Sequence, residues 1–172
     1  MITPTPEFSR LVPLVGLGPE PFRREIEATP DECRRLAQRF GLIALDRLVA
    51  AVTVNRMSSG WIRLEAAFEA EFAQTCVVTL DPVPGAIAQT FSLLYGPSED
   101  VPSDLDCDLE GPVFEPLSGD AIDIGEAVAQ ELSLALPEFP RQADAVLEPV
   151  TTDDTEDGPL AALAGLSRLP QS

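Results

Sequence analysis

Residues 103–115, SDLDCDLEGPVFE, carry acids at alternate positions and could bind a divalent cation. The EF-hand calcium loop has the same alternation, together with a glycine at position six and a glutamate at position twelve. Glu115 fits that glutamate, but Leu109 replaces the glycine, and no helical pattern flanks the stretch. We therefore interpret it as a short edge strand whose acids face outward. These outward acids are Asp104, Asp106, Asp108 and Glu110.

A carboxylate-based hydrolase that uses a divalent metal is the enzymatic alternative for this acidic region. Asp120, Asp123 and Glu126 could join such a cluster. However, Asp123 and Glu126 have a simpler role as helix-capping residues. The sequence also contains no histidine or lysine to act as a general acid or base. We therefore predict that the protein is not an enzyme and has no catalytic, cofactor-binding or metal-binding residue.

The charge of the chain excludes several kinds of site and indicates a kind of partner. The 172 residues have a formal charge of −18 and no histidine, which excludes Ser-His-Asp and Cys-His catalysis. Residues 64–140 contain sixteen acids and no basic residue, whereas residues 1–63 contain nine arginines. A segment this acidic repels nucleic acid and attracts basic proteins, although a role in solubility alone explains it equally well.

The cysteines and the N-terminal residues indicate the compartment. Cys33, Cys76 and Cys107 are widely spaced and odd in number, which is typical of free thiols in a reducing environment. The sequence MITPTPEFSRL lacks the pattern of a signal peptide, and no apolar run is long enough to span a membrane. We therefore expect a cytoplasmic protein with no membrane partner.

The first clear element of secondary structure is a helix. Residues 1–27 are expected to form an extended lead-in with strand character. The helix is predicted over residues 30–40, because Thr29 can act as its N-cap and Glu32 completes a capping box. Gly41 then ends the helix.

Three β-strands are predicted from the pattern of apolar residues. The strongest signal begins at residue 62, where apolar side chains alternate with charged and small ones as far as residue 72. We expect a bulge or a bend near Gln74, after which Cys76, Val78 and Leu80 continue the buried face. The predicted strands are residues 47–56, 62–72 and 86–95.

The second helix is predicted over residues 122–136, with Asp123 as its N-cap and Glu126 completing another capping box. An acidic linker over residues 141–157 and a short C-terminal helix over residues 158–169 follow. The apolar face of that helix contains Leu160, Leu163 and Leu166. The helix is too short to be stable alone, so it must dock either on its own domain or in a groove of a partner.

The predicted architecture is therefore α+β. A single domain over residues 1–140 contains an antiparallel sheet and two main helices, and the linker and the C-terminal helix follow it. A strongly curved or barrel-like sheet is compatible with the pattern. The strand order and the oligomeric state stay open.

Three stretches, taken together and in this order, resemble the YceD family of large ribosomal RNA subunit accumulation proteins. They are QTCVVTLDPV at 74–83, IDIGEAVAQELSLALPEFPR at 122–141 and DGPLAALAGL at 157–166. The resemblance covers most of the chain from about residue 29 onward. The matching positions are Cys76, Thr79, Leu80, Asp81, Pro82, Val83, Asp123, Gly125, Glu126, Pro159, Ala162 and Leu163.

The resemblance implies a non-enzymatic bacterial factor that supports assembly of the large ribosomal subunit. The expected partner is a basic ribosomal protein or a precursor of the large subunit, contacted by the acids of residues 104–110 and by the leucine face of the C-terminal helix. Arg34, Arg35 and Arg39 offer a weak direct contact with rRNA. A generic acidic protein-binding module is the alternative.

One departure from the family concerns zinc. Many members carry Cys-x-x-Cys in the first stretch, and some carry further cysteines near the C-terminus, an arrangement similar to a zinc site. Here Thr79 stands at the second position, and residues 137–157 contain no cysteine. We therefore expect that this chain binds no zinc and that Cys76 is a small buried residue ending the long strand.

Overall fold

Three long strands form the centre of the protein, as described by a computed structural model. The structure describes residues 6–18, 20–57, 59–97, 113–117 and 119–146. The strands are β1 (Leu11–Pro13), β2 (Phe22–Glu27), β3 (Ala44–Arg56), β4 (Ile62–Thr75), β5 (Pro82–Gly96), β6 (Val113–Pro116) and β7 (Ala121–Asp123). The helices are α1 (Pro30–Phe40) and α2 (Ile124–Ala135), and a 3-10 turn covers Leu14–Gly16.

The described strands form a five-stranded sheet in the order β2-β3-β4-β5-β6 and a separate antiparallel pair of β1 with β7. The fold class is α+β, as predicted. The predicted antiparallel pairing is confirmed for β2 with β3, β3 with β4 and β4 with β5, whereas β6 pairs with β5 in parallel. Residues 97–112 connect these two strands and are numerous enough for the crossover that parallel pairing requires. The described strands do not close into a barrel, because β2 and β6 remain edges.

The alternating pattern of β4 divides the five-stranded sheet into two faces. On the inner face, Leu64 and Phe68 are buried in one hydrophobic core. Leu36 of α1 and Leu132 of α2 belong to the same core, so both helices cover this face. On the outer face, residues of β4 such as Glu69 remain exposed. The predicted alternation is therefore confirmed, and it separates a packed face from an uncovered one.

The ends of the central strands differ from the sequence prediction. β3 begins at Ala44, and β4 pairs regularly with β5 as far as Thr75. Of the bulge or bend predicted near Gln74, the structure has a bend, since the chain turns after Thr75. The register shift of the sheet lies between Leu45 and Arg47 of β3.

The buried face of β4 also ends earlier than predicted. After Thr75 the chain turns instead of continuing as a strand. Cys76 is buried and Val78 is half-buried. Leu80 is 75% exposed, so it does not continue the buried face.

Helix α1 begins and ends as its sequence predicts. The Thr29 hydroxyl accepts a hydrogen bond from the Glu32 N–H, and the Glu32 carboxylate accepts one from the Thr29 N–H. Pro30 occupies the first turn, where its missing N–H costs nothing. Gly41 ends the helix with a φ of 66°, a left-handed conformation that glycine adopts without strain.

Helix α2 begins at the predicted N-cap, but its capping box is wrong. The Asp123 carboxylate accepts hydrogen bonds from the N–H groups of Gly125 and Glu126. The Glu126 side chain does not return to the N-cap, because it binds the Arg39 guanidinium through contacts of 2.7 and 2.9 Å. In the described part of the chain, neither helix combines the length and apolar character needed to cross a membrane.

Arg10 connects the N-terminal segment to the start of α1. Its guanidinium donates two hydrogen bonds to the Glu32 carboxylate, at 2.7 and 2.9 Å. It also donates to the Glu27 carbonyl. The Glu32 side chain is only 13% exposed. Hydrogen bonding from Arg10 therefore lowers the pKa of Glu32 from its ordinary value to about 2.

Replacing Arg10 with glutamine should destabilise the protein by about 2 kcal/mol near pH 7, because the ion pair is hydrogen-bonded and mostly covered. The pKa of Glu32 is lower in the folded state than in the unfolded state. Its contribution is therefore full above about pH 4.5 and disappears as the pH falls towards 2. Urea unfolding of Arg10→Gln and wild type at several pH values measures the difference.

Arg34→Gln is the matched control, because Arg34 pairs with Asp31 on the same helix but both side chains are more than 70% exposed. It should change the free energy of unfolding by less than about 0.5 kcal/mol. An Arg10→Gln penalty that stays constant from neutral to acidic pH would contradict the assigned role of Glu32.

Candidate functional site

The first family-like stretch forms a closed turn around the sulfur of Cys76. The Leu80 N–H donates to the Cys76 carbonyl at 3.0 Å, and the Cys76 N–H donates to the Asp81 carbonyl at 2.8 Å. The Thr79 N–H donates to the Cys76 Sγ atom at 3.4 Å. Leu80 closes the turn with a φ of 65°, an uncommon conformation for a residue other than glycine. We call residues Cys76–Asp81 the thiol turn.

The thiol turn is joined to the chain that follows α2 and exposes apolar side chains there. The Val77 N–H donates to the Pro140 carbonyl at 2.9 Å. Val77 is 46% exposed, Leu80 75% and Phe139, next to Pro140, 70%. These three residues form what we call the turn patch. The hydrogen bond to Pro140 holds Val77 near Phe139, and neighbouring exposed apolar side chains are typical of interaction surfaces.

The Cys76 side chain is fully buried, yet its surroundings favour the thiolate. Hydrogen bonds from the Thr79 hydroxyl and then from the Thr79 N–H lower the pKa of Cys76 to about 7. A backbone hydrogen bond from Gln142 acts in the same direction. By contrast, burial raises the pKa of the Cys33 thiol.

The thiol turn does not fit a zinc ion. Zinc in structural sites takes four ligands, usually cysteine or histidine. Thr79 occupies the second ligand position, and the neighbouring residues 137–146 supply no cysteine or histidine. Within the described ranges, no group of three or more His, Cys, Asp or Glu stands together. In this chain the Cys76 sulfur accepts hydrogen bonds from Thr79, the residue at the second ligand position.

Replacing Thr79 with valine should raise the pKa of Cys76 towards the ordinary value of 9.0, because the hydroxyl that favours the thiolate is lost. Carbon-13 NMR of labelled cysteine β-carbons against pH measures this shift, and Cys76→Ser assigns the resonance. Cys33 serves as an internal control and should titrate at higher pH in both proteins. If Cys76 titrated together with Cys33 in the wild type, the described hydrogen bonding would be wrong.

The second family-like stretch holds the N-terminal segment through Asp123. Its Oδ1 atom accepts a hydrogen bond from the Arg10 N–H at 2.7 Å, in addition to those that cap α2. Its Oδ2 atom accepts one from the Ser9 hydroxyl. The Ile124 N–H donates to the Arg10 carbonyl at 3.0 Å. A single carboxylate therefore both begins the helix and fixes residues 9–10 beside it.

Gly125 is present because α2 meets the backbone of Phe8 at this point. A Cβ atom on Gly125 would lie 2.5 Å from the Phe8 carbonyl oxygen and 3.1 Å from the Arg10 nitrogen. Both atoms belong to the backbone, so they cannot move aside as a flexible side chain could. A glycine at this position therefore allows the N-terminal segment to pack directly against the backbone of α2.

Glu126 joins α2 to α1 through Arg39. The Arg39 guanidinium also binds the Glu7 carboxylate at 2.9 Å. Donation of hydrogen bonds to the Glu126 carboxylate raises the pKa of Arg39. Arg39 is thus engaged within the protein, whereas Arg34 and Arg35 are exposed on α1. Of the three arginines predicted as a weak rRNA contact, only these two face solvent without an ion pair to another element of the described chain.

The family-like residues that the structure describes do not form one cluster. The thiol turn contacts the chain after the C-terminal end of α2, while Asp123, Gly125 and Glu126 lie at its N-terminal end. The twelve residues of α2 separate the two groups by about 18 Å. The arrangement is that of two structural anchors at the ends of one helix.

Several residues predicted to contact a partner lie outside the described part of the chain. The same holds for the predicted C-terminal helix, for most of the acidic linker and for Cys107. The predicted contact residues outside the described chain are Asp104, Asp106, Asp108, Glu110, Leu160, Leu163 and Leu166. The family-motif residues outside it are Pro159, Ala162 and Leu163.

Sequence analysis missed two features of the site. One is Arg10, whose two carboxylate partners are far from it in sequence. The other is a groove on the outer face of the five-stranded sheet, lined by residues of β2, β3, β4 and β5. The alternation of β4 indicated which of its side chains face outward. The pairing of β2 with β3 had no comparable signal, because residues 1–27 were expected only to be extended.

Replacing Gly125 with alanine should destabilise the protein by roughly 1–3 kcal/mol, because the added methyl group meets backbone atoms. This is opposite to the usual stabilising effect of alanine within a helix. Gly18→Ala is the control, since nothing lies within 4 Å of a Cβ atom there. Urea unfolding measures both changes, and an unchanged or raised stability for Gly125→Ala would contradict the close approach to Phe8.

Comparison with known proteins identifies the family. No curated protein and no solved structure matches the chain. A family model described as the large ribosomal RNA subunit accumulation protein YceD matches residues 64–167, more than half of the sequence. The matched range contains the thiol turn, α2 and the C-terminal leucine-rich stretch. The chain belongs to the YceD family.

Proposed function

We propose that this protein is a non-enzymatic cytoplasmic factor that supports the accumulation of large-subunit rRNA during assembly of the large ribosomal subunit. The family membership carries this proposal, because the family is described by that role and not by a reaction. The contact is made with a basic ribosomal protein or with a precursor of the large subunit.

The distribution of charge supports a protein partner. Residues 64–140 carry sixteen acids and no basic residue. Such a segment attracts cationic proteins over several ångströms and repels phosphate groups. A basic ribosomal protein has the complementary charge. The acidic surface is therefore suited to bind such a protein before or while that protein binds rRNA.

The proposed contacts are the acids of residues 104–110 and the leucine face of residues 158–169. The turn patch offers a third, apolar surface, and it is exposed in the described structure. The leucine face either binds a partner groove or docks on its own domain, and the first arrangement is the one proposed here.

The hydrolase alternative loses two of its candidate ligands to structural roles. Asp123 caps α2 and binds Ser9 and Arg10, and Glu126 pairs with Arg39. Carboxylates held in this way are not arranged around a common point where a metal ion could bind.

Expression of this chain in cells that lack their own family member should restore the ratio of large-subunit to small-subunit rRNA. A variant with Asp104, Asp106 and Asp108 changed to asparagine should restore it poorly, because three charges of the proposed contact are lost. Affinity capture of the same variant, followed by mass spectrometry and RNA sequencing, should recover about tenfold less large-subunit protein.

A control variant with the same net charge isolates the effect of position. It carries Glu20→Gln, Glu138→Gln and Asp144→Asn, which change three exposed acids elsewhere on the surface. It should restore the rRNA ratio and capture as well as the wild type. Failure of the wild-type chain to change the ratio or to capture large-subunit material would overturn the proposed function.

A further inference from the structure

A groove of about 900 Å³ lies on the outer face of the five-stranded sheet. It crosses β2, β3, β4 and β5, a width of about 14 Å at the usual spacing of neighbouring strands. Its floor consists of small side chains from three strands, namely Ala51, Ala67 and Ala88. All three alanines are exposed, so neither helix covers this face.

The strand register explains why the floor is low and continuous. Ala51 of β3 lies opposite Ala67 of β4, and Ala67 lies opposite Thr90 of β5. In the neighbouring row, Val49 lies opposite Glu69 and Glu69 lies opposite Ala88. Small residues thus stand side by side across the sheet while longer acidic side chains stand around them.

The rim of the groove has an excess of negative charge. Glu25 and Glu27 line it from β2, and Glu69 lines it from β4. Arg47 is the opposing cation, and it pairs with Glu69 at 3.1 Å and with Glu71 at 3.9 Å. Among the residues that the structure describes, Glu25 and Glu27 form no ion pair and remain available to a ligand.

We propose that this groove binds an extended cationic segment of another protein, with arginine or lysine at alternate positions. Glu25 and Glu27 are two residues apart on one strand, so their side chains are about 7 Å apart. Alternate side chains of an extended peptide have the same spacing. The alanine methyl groups accept the aliphatic stems of the arginines or lysines, and the carboxylates receive their charged ends.

The residues that line the groove belong to β2, β3, β4 and β5, and peptide binding there does not depend on a ribosomal role. Purified protein and a synthetic peptide are sufficient to test it. Loss of rRNA accumulation in cells would test the proposed function, whereas loss of peptide binding tests only the groove.

The test measures fluorescence polarisation of a labelled eight-residue peptide of alternating arginine and alanine at low ionic strength. The groove variant carries Glu25→Gln, Glu27→Gln and Glu69→Gln. It should bind the peptide about tenfold more weakly than the wild type. The control variant with Glu20→Gln, Glu138→Gln and Asp144→Asn has the same net charge and should lose less than about twofold.

Three further variants keep the test independent of folding defects. Arg47→Gln frees Glu69 and Glu71 from their internal cation and should strengthen binding about threefold. Arg34→Gln, which makes the same change of charge on α1, should not. Ala67→Gln fills the floor without changing charge and should weaken binding. Circular dichroism and thermal unfolding of each variant establish that it is folded.

Equal weakening in the groove variant and the control variant would overturn the proposal, because binding would then follow net charge alone. Absence of measurable peptide binding to the wild type would overturn it as well. A competition experiment with spermine, a polyamine, tests whether the groove binds small cations instead of a peptide. If spermine displaced the peptide at concentrations at or below the peptide's own dissociation constant, the groove would be a polyamine site and the peptide assignment would be wrong.

Discussion

The packing of both helices depends on one short segment, residues 8–10, that lies between their N-terminal ends. The Arg10 side chain binds Glu32 in the first turn of α1, and its backbone N–H binds Asp123 at the start of α2. Both helices cover the same face of the sheet. Their N-terminal ends are therefore positioned by the same residue, and the core between them follows from that arrangement.

This constraint explains the family-like residues better than a catalytic interpretation does. Asp123 and Gly125 admit and hold the N-terminal segment, and the thiol turn fastens the chain that leaves the other end of α2. Asp123 and Gly125 are mostly covered, whereas the thiol turn also exposes Val77 and Leu80. The exposed surfaces that these anchored elements leave are the turn patch and the outer face of the sheet.

Local rules predicted the local features well. The capping box of Thr29 and Glu32 and the two faces of β4 each depend on neighbours within a few residues, so the sequence was sufficient. Glu126 was assigned wrongly because Arg39, its actual partner, is 87 residues away. The parallel pairing of β6 and the groove likewise depend on which strands become neighbours, and a single sequence contains little information about such pairing.

The use of arginine within the fold bears on whether the protein could bind rRNA directly. Arg10, Arg39 and Arg47 each bind carboxylates of the same chain, so their charge is neutralised internally. Among the described residues, Arg23, Arg24 and Arg35 stay exposed without an ion pair, but they act against a formal charge of −18 for the whole chain. Direct binding of rRNA would work against this field. An effect on rRNA exerted through a cationic protein partner would not have to overcome this repulsion. The acidic groove has the charge to bind such a partner.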